Sequence, residues 1–369
     1  MKIGFDAKRA LNNGSGLGNY SRNLLNALMQ NFPNEEYLLF APKAKEEFFN
    51  QLTGQFKIAL PETNLQKSFH PLWRSVGIKH DLQKHRIDIY HGLSNEIPFS
   101  TQHSTFSTLV TIHDLIFLKH AEQYPFVDRQ VYKLKTKYAT KHADKIIAVS
   151  NETKNDLMEF YGVTEEKIEV IYPLVDSAFQ KSEIRNWKSD LNLPKKYILN
   201  VGSFFPRKNQ RTLIEAFDLI KDKVEEDFVL VGGSGNMQRE IERLIAEKNL
   251  QERVKILSNV SNEDLPTIYR GASVFVFPSL YEGFGMPIVE ALFSKMPVIT
   301  TKGGCFEEAG GKDSLYINPN SAEEIANAIL KVVNDEKLKA QMIENGFAHA
   351  QTMTGKIIAE KTMNVYKTL

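Results

Sequence analysis

The sequence predicts an α/β protein of two doubly wound domains, each built on a parallel sheet. Three observations carry this. Short apolar runs recur along the chain and alternate with helical or polar segments, the pattern of repeated βα units. Most of these runs end in a glycine or in polar residues. The rhythm breaks once, over residues 173–194, in a chain of 369 residues that is too long for one ordinary core.

The first half opens with an alternating strand at 2–7. A glycine-rich loop, LNNGSGLGN at 11–19, and a helical pattern at Leu24, Leu25 and Leu28 follow. Strand, glycine loop and helix read as the first unit of a Rossmann-like domain. The G-x-G at Gly16 and Gly18 is a weak signal for a dinucleotide. The third glycine is missing from its place, and no acidic residue clearly ends a second strand. Further strands are expected at 37–41, 87–91, 108–112, 145–149 and 168–172. Ligands of such sheets bind beyond the C-terminal strand ends. Polar residues gather there in HGLSNE (91–96), TIHD (111–114) and SNETK (150–154), with Asn95 and Asp114 as acceptor-side candidates. His113 beside Asp114 is either a proton-transfer or orienting element or a pair of caps. The cluster FHPLW at 69–73 lies in a weakly structured stretch and reads as core or as an apolar lip. Lys133, Lys135, Lys137 and Lys141 form a solvated helix face or a docking surface for anionic lipid headgroups.

Residues 173–194, with Pro173, Asp176 and a polar run at 180–190, read as the link between domains. The rhythm then restarts. A strand at 197–201 leads to Gly202, Ser203 and the cations Arg207 and Lys208, ahead of a helix at 212–219. Two cations after a strand-end glycine are placed to neutralise phosphate, although a solvated loop would look the same. The strand at 228–231 ends in GGSG at 232–235, where Gly233 helps make room for a bulky ligand. Strands at 254–257, 274–277, 297–300 and 315–317 follow, and 322–369 is helical in pattern.

The stretch 274–295, VFVFPSLYEGFGMPIVEALFSK, is central. A strand, a turn bearing Gly283 and Gly285, and a helix opened by Pro287 make an anion site, because free N–H groups and the helix dipole converge there. Glu282 and Glu290 flank the turn. A glycosidase-like acid/base pair needs carboxyls about 5–9.5 Å apart. Eight helical steps would separate these by roughly 12 Å, which disfavours that pairing, although a turn shortens the distance. The alternatives are two solvated or capping glutamates, or two acceptors for hydroxyls at opposite ends of one phosphate-centred ligand.

Composition excludes several classes. Hydrophobic content of 42% and charged content of 25% are those of a globular protein, and a net charge of +1 calls for no nucleic acid partner. One cysteine, Cys305, allows no internal disulfide and permits a reducing, cytoplasmic setting. No apolar run approaches a membrane span, so any membrane contact is expected to be peripheral. No Cys/His metal spacing occurs.

EGFGMP at 282–287, with Glu290-Ala291, resembles the signature of retaining nucleotide-sugar glycosyltransferases of the GT-B type. Within them it looks like family 4 and its mannosyltransferase-like branch. VTIHDLIFLKHAEQYP (110–125), IYPLVDSAF (171–179) and VGSFFPRKNQRTLIEAF (201–217) extend the resemblance over most of the chain. It implies two Rossmann-like domains facing a cleft. The first would comprise 1–175, with a final helix of about 352–369 crossing back onto it; the second would comprise 176–351. Glu282 would contact the donor sugar and Glu290 the ribose. The backbone of Phe284, Gly285 and Met286 would lie against sugar and phosphate. Arg207 and Lys208 match the diphosphate-binding cations, with Gly202 beside them. Ser203 departs from an arginine common there. Gly16 and Gly18 would face diphosphate and acceptor, and His113 would approach the reacting carbon. With no D-x-D motif, the resemblance implies metal independence and no cofactor. GDP-mannose is the implied donor and a saccharide or lipid-linked saccharide the implied acceptor. A GT-B epimerase or phosphorylase, or a non-catalytic nucleotide-sugar-binding module, is the rival reading.

Overall fold

The computed structural model describes residues 1–99, 101, 104–180, 192–233 and 235–369. Most of the expected 180–190 run and Ser234 lie outside the described residues. The chain forms two compact units, one of Met1–Leu174 with Met353–Leu369 and one of Val175–Thr352.

The first unit is built on β1 (Lys2–Asp6), β2 (Glu36–Phe40), β3 (Lys57–Ala59), β4 (Ile89–Gly92), β5 (Ser107–Ile112), β6 (Lys145–Ala148) and β7 (Ile168–Val170). They pair in parallel in the order β3-β2-β1-β4-β5-β6-β7. The second unit carries β8 (Tyr197–Val201), β9 (Asp227–Val231), β10 (Val254–Leu257), β11 (Val274–Phe277), β12 (Val298–Thr301) and β13 (Leu315–Ile317). Their order is β10-β9-β8-β11-β12-β13, again parallel. Each order reverses direction once, between β1 and β4 and between β8 and β11. Parallel strands covered on both faces read as continuous apolar runs, and β11 is buried at every residue.

Local chemistry sets the helix ends. Helix α1 spans Lys8–Asn12 and α2 spans Gly16–Asn31. The expected loop at 11–19 is thus largely helical. Asn13 Oδ1 accepts from Ser15 N at 2.6 Å, and a side chain at Gly18 would strike the Asn13 carbonyl oxygen at 1.9 Å. Helix α3 spans Phe126–His142 and α4 spans Asn151–Tyr161. Ser150 Oγ caps α4 by accepting from Thr153 N at 3.0 Å, and Gly162 ends it at φ 62°.

Three expectations change. Within the 69–73 cluster His70–Leu72 is helical and runs into a π-helical turn, Trp73–Gly77. Trp73 is core and donates to Asp81 at 2.6 Å, whereas Phe69 and Leu72 are exposed. Strand β3 escaped the sequence reading because three edge residues, one exposed and two half-buried, carry no period. The link begins docked on the second unit: Phe179 stacks edge-on against Tyr269 at 5.5 Å, and Arg270 donates to its carbonyl at 2.9 Å.

The last helix, Gly355–Lys367, packs on α2; Ile358, Ala359, Met363 and Tyr366 share a core with Leu24, Leu25 and Leu28. It is also tied by a polar chain. Tyr366 Oη bonds His91 Nδ1 at 2.7 Å, and His91 Nε2 bonds Thr111 Oγ1 at 2.8 Å. Burial, with His113 nearby, lowers the His91 pKa to about 3, so this ring is neutral at pH 7. Among the described residues no helix is long and apolar enough to cross a membrane. Tyr366→Phe leaves a buried ring nitrogen without its partner and is expected to destabilise the first unit by about 1–3 kcal/mol. Urea unfolding checks this, and an unchanged midpoint would show the bond contributes nothing.

Candidate active site

The direction change between β8 and β11 brings two loops together, and open parallel sheets bind ligands at such points. After β8, Gly202 N donates to Val231 O at 2.9 Å, and a turn at Pro206–Lys208 presents two cations. Asn209, at φ 58°, closes that turn. Its side-chain nitrogen donates to Pro278 O at 3.2 Å and Pro319 O at 2.6 Å. Helix α5, Gln210–Asp218, follows. From the loop after β11, Leu280 N donates to Arg207 O at 2.7 Å, and Ser279 Oγ lies within reach of the same oxygen at 2.9 Å. These bonds fix the cation turn against the glutamate loop.

The result is a convergence on one oxygen. Glu282 Oε1 lies 2.6 Å from Arg207 Nη1, 2.5 Å from Lys208 Nζ and 2.6 Å from Ser279 Oγ. Lys208 Nζ also sits 5.0 Å over the Phe277 ring. Burial alone would raise the Glu282 pKa; Lys208 and Arg207 overcome that and hold it below its ordinary value. Burial lowers the Lys208 pKa, opposed by Glu282. Two cations face one carboxylate, so the site has room for further negative charge.

Glu290 stands differently. It lies on helix α6, Met286–Phe293, whose entry is Gly285 at φ 109° with Pro287 in the first turn. Its Oε2 accepts from Tyr269 Oη at 2.9 Å. Burial raises its pKa to about 7, Tyr269 lowers it and Asp176 raises it. The two glutamates therefore have unlike chemistry, one a fixed anion and one poised near neutrality. Phe284 is buried through its side chain, and Met286 is the first residue of α6. Gly202 lies against the Lys208 stem, where a side chain would meet it at 3.6 Å; the nearest atom to one at Gly233 would be Asn259 N, at 3.4 Å. Ser203 O accepts from Gln210 Nε2 at 3.2 Å. Cys305, the first residue of α7 (Cys305–Gly310), is buried and donates to Glu282 O at 3.3 Å.

In the first unit, His113 follows β5. Its backbone N donates to Asn95 Oδ1 at 2.7 Å, and its Nε2 bonds Leu93 O at 2.8 Å. A carbonyl only accepts, so Nε2 carries the proton and Nδ1 is the acceptor. Tyr20 meets the ring edge-on at 4.5 Å. Burial lowers the His113 pKa to about 4; the Leu93 bond opposes this and Arg9 adds to it. Asn95, at φ 59°, also bonds this loop through its amide nitrogen, Nδ2 reaching Asp114 O at 3.4 Å. Asp114 Oδ1 accepts from Ile116 N at 3.1 Å, the capping role. A side chain at Gly16 would meet nothing within 4 Å, whereas Gly18 is needed for packing. Ser279, Asn209, Tyr269 and Tyr20 were missed. Only Asn209, just before a helix, carried a local signal.

Residues 181–349 match the model of Glycosyl transferases group 1, and residues 14–179 that of Glycosyltransferase Family 4. The chain belongs to the family 4, group 1 glycosyltransferases. This glycosyltransferase is 26% identical over 303 residues to O-antigen chain mannosyltransferase B of Escherichia coli, covering 78% of this chain and 76% of that one. It is 28% identical over 238 residues to an O-antigen chain mannosyltransferase of Salmonella typhimurium, covering 63% and 64%. The crystal structure of Anabaena HepE in complex with UDP-glucose superposes with a TM-score of 0.80 at 20% identity, each chain covered in full. The two parallel-sheet units are thus those of the GT-B fold.

Glu290 generates a pH signature. Its ordinary pKa is 4.5 and its folded value about 7, so the folded state holds the proton more tightly. Stability on this account falls as pH rises from about 4.5 to 7. Glu290→Gln is expected to raise Tm at pH 8 and to raise it less at pH 5, by calorimetry. Equal changes at both pH values would contradict the assignment.

Proposed function

We propose that this glycosyltransferase is a retaining, metal-independent mannosyltransferase. It takes mannose from GDP-mannose to a saccharide or lipid-linked saccharide acceptor in surface polysaccharide synthesis. The meeting of Arg207 and Lys208 on Glu282 beside the α6 entry carries this reading. The mannosyltransferase relatives support the sugar, and the nucleotide-sugar in HepE supports the donor class.

Arg207 and Lys208 neutralise the diphosphate, and their charge matters most as negative charge grows on the leaving oxygen. Glu282, held ionised, accepts from sugar hydroxyls, and Glu290 accepts from the ribose; both fix geometry. The bond from C1 to the phosphate oxygen breaks as the acceptor oxygen bonds C1 on the same face. The acceptor proton passes to the departing phosphate oxygen, so no protein nucleophile is required. His113, neutral at pH 7 and with Nδ1 able to accept, is taken to meet the incoming acceptor. The enzyme works in the cytoplasm, at the inner face of the membrane. Phe126, Val127 and Leu134 of α3 are 68, 70 and 62% exposed. A groove of ≈ 910 Å³ between α3 and α4 is lined by Lys133, Lys137, Lys141, Lys167 and Phe160. Apolar side chains among lysines suit an anionic lipid surface.

GDP and GDP-mannose are expected to raise Tm more than UDP or UDP-glucose, with EDTA making no difference. Lys208→Ala is expected to lower kcat about 10²–10³-fold, and proton NMR of the product gives the anomer. No shift with any nucleotide, or an inverted product, overturns the reading. Sedimentation with phosphatidylglycerol vesicles is expected to exceed that with phosphatidylcholine. Lys133→Glu with Lys137→Glu should abolish the difference, and equal sedimentation of wild type with both vesicles overturns the docking surface.

A further inference from the structure

The first unit has its own direction change, between β1 and β4, and open parallel sheets bind ligands there too. Asp6, Lys8 and Arg9 stand at the end of β1, and Asn95 and Glu96 stand beyond β4. Arg74, from the π-helical turn, reaches into this edge. It bonds Asp6 with two nitrogens, and its Nη2 also pairs with Glu96. Lys135 of α3 pairs with Glu96 at 2.7 Å. Both carboxylates are thereby engaged.

Lys8 and Arg9 are left over. Arg74 and Lys135 already match Asp6 and Glu96 in charge, and Lys8 and Arg9 stand beside them at the start of α1. Among the described residues neither Lys8 nor Arg9 is ion-paired, yet both are half-buried. Burial lowers the Lys8 pKa; Arg74 and Arg9 add to this, while Glu96 and Asp6 oppose it. Strand β5, next to β4, is followed by His113, whose ring feels Arg9. Two partly desolvated cations that contribute no ion pair to the fold are costly unless something else uses them.

We infer that Lys8 and Arg9 form an anion site at the β1/β4 edge that binds a phosphate or carboxylate group carried by the acceptor. It rests on the reading above in one respect, that the acceptor approaches His113. An arginine fork and a lysine point charge suit either group: a phosphoryl group on a carrier or sugar, or the carboxylate of a uronic acid.

Calorimetric titration of the full chain with mannose 1-phosphate, glucuronate and methyl α-mannoside tests it. At least one charged probe is expected to bind tenfold or more tightly than the neutral one. Lys8→Gln and Arg9→Gln should each weaken that binding about tenfold while keeping the wild-type Tm, since no ion pair is lost. Binding should survive in Lys208→Ala, which removes the proposed donor phosphate contact. Preference for mannose 1-phosphate assigns a phosphoryl group, and preference for glucuronate a uronic acid. Equal binding of charged and neutral probes overturns the inference. So does binding indifferent to both Gln variants, or binding lost in Lys208→Ala. Failure of the GDP-mannose reading would appear in the nucleotide panel and leave this titration interpretable.

Discussion

One carboxylate oxygen of Glu282 receives a guanidinium, an ammonium and a hydroxyl. Buried ions are costly to desolvate, and the attraction between them offsets this only when geometry and hydrogen bonds are good. Here the Ser279 hydroxyl supplies the extra hydrogen bond, and Asn209 with the Leu280 N–H holds the backbone of both loops. Without Glu282, Arg207 and Lys208 would be two adjacent like charges in a poorly solvated place. The arrangement keeps two cations ready where water would otherwise have to stabilise them.

That constraint orders the rest of the second unit. Strands β8 and β11 are neighbours in the sheet, so the segments following them are neighbours in space. The φ of 109° at Gly285 turns the chain into α6, and Glu290 is then carried to Tyr269. Two glutamates of one helix-turn segment thus end in opposite surroundings, one among cations and one beside a phenol. Their different acidities follow from burial and from neighbours supplied by other segments, the turn at Pro206–Lys208 for one and the helix carrying Tyr269 for the other. The first unit repeats the topology with other chemistry: its polar groups either hold the fold, as His91 and Arg74 do, or stand without ion pairs, as Lys8 and Arg9 do.

Much of this was legible in the sequence. Apolar runs such as 274–277 are what a parallel strand needs when both faces are covered, and glycine, proline and polar residues mark their ends. The cations at 207 and 208 and the glutamates at 282 and 290 stood out because charged residues at strand ends and helix starts are few. Phe69 and Leu72 against Trp73 were not separable, since residue type does not say which side of a helical turn faces a core. The bonds of the Asn95 amide to the His113–Asp114 backbone are visible only once β4 and β5 lie side by side.

Local pattern, then, specifies the elements, their parallel sense and the residues that can carry charge, because periodicity and turn chemistry act over a few neighbours. It does not specify which charges meet. The Glu282 partners are 75 and 74 residues distant in sequence, and the Tyr366 bond to His91 spans 275. Strand order decides those meetings. With them come the depressed pKa of Glu282, the raised pKa of Glu290 and the unpaired state of Lys8 and Arg9, since each depends on the local field and burial.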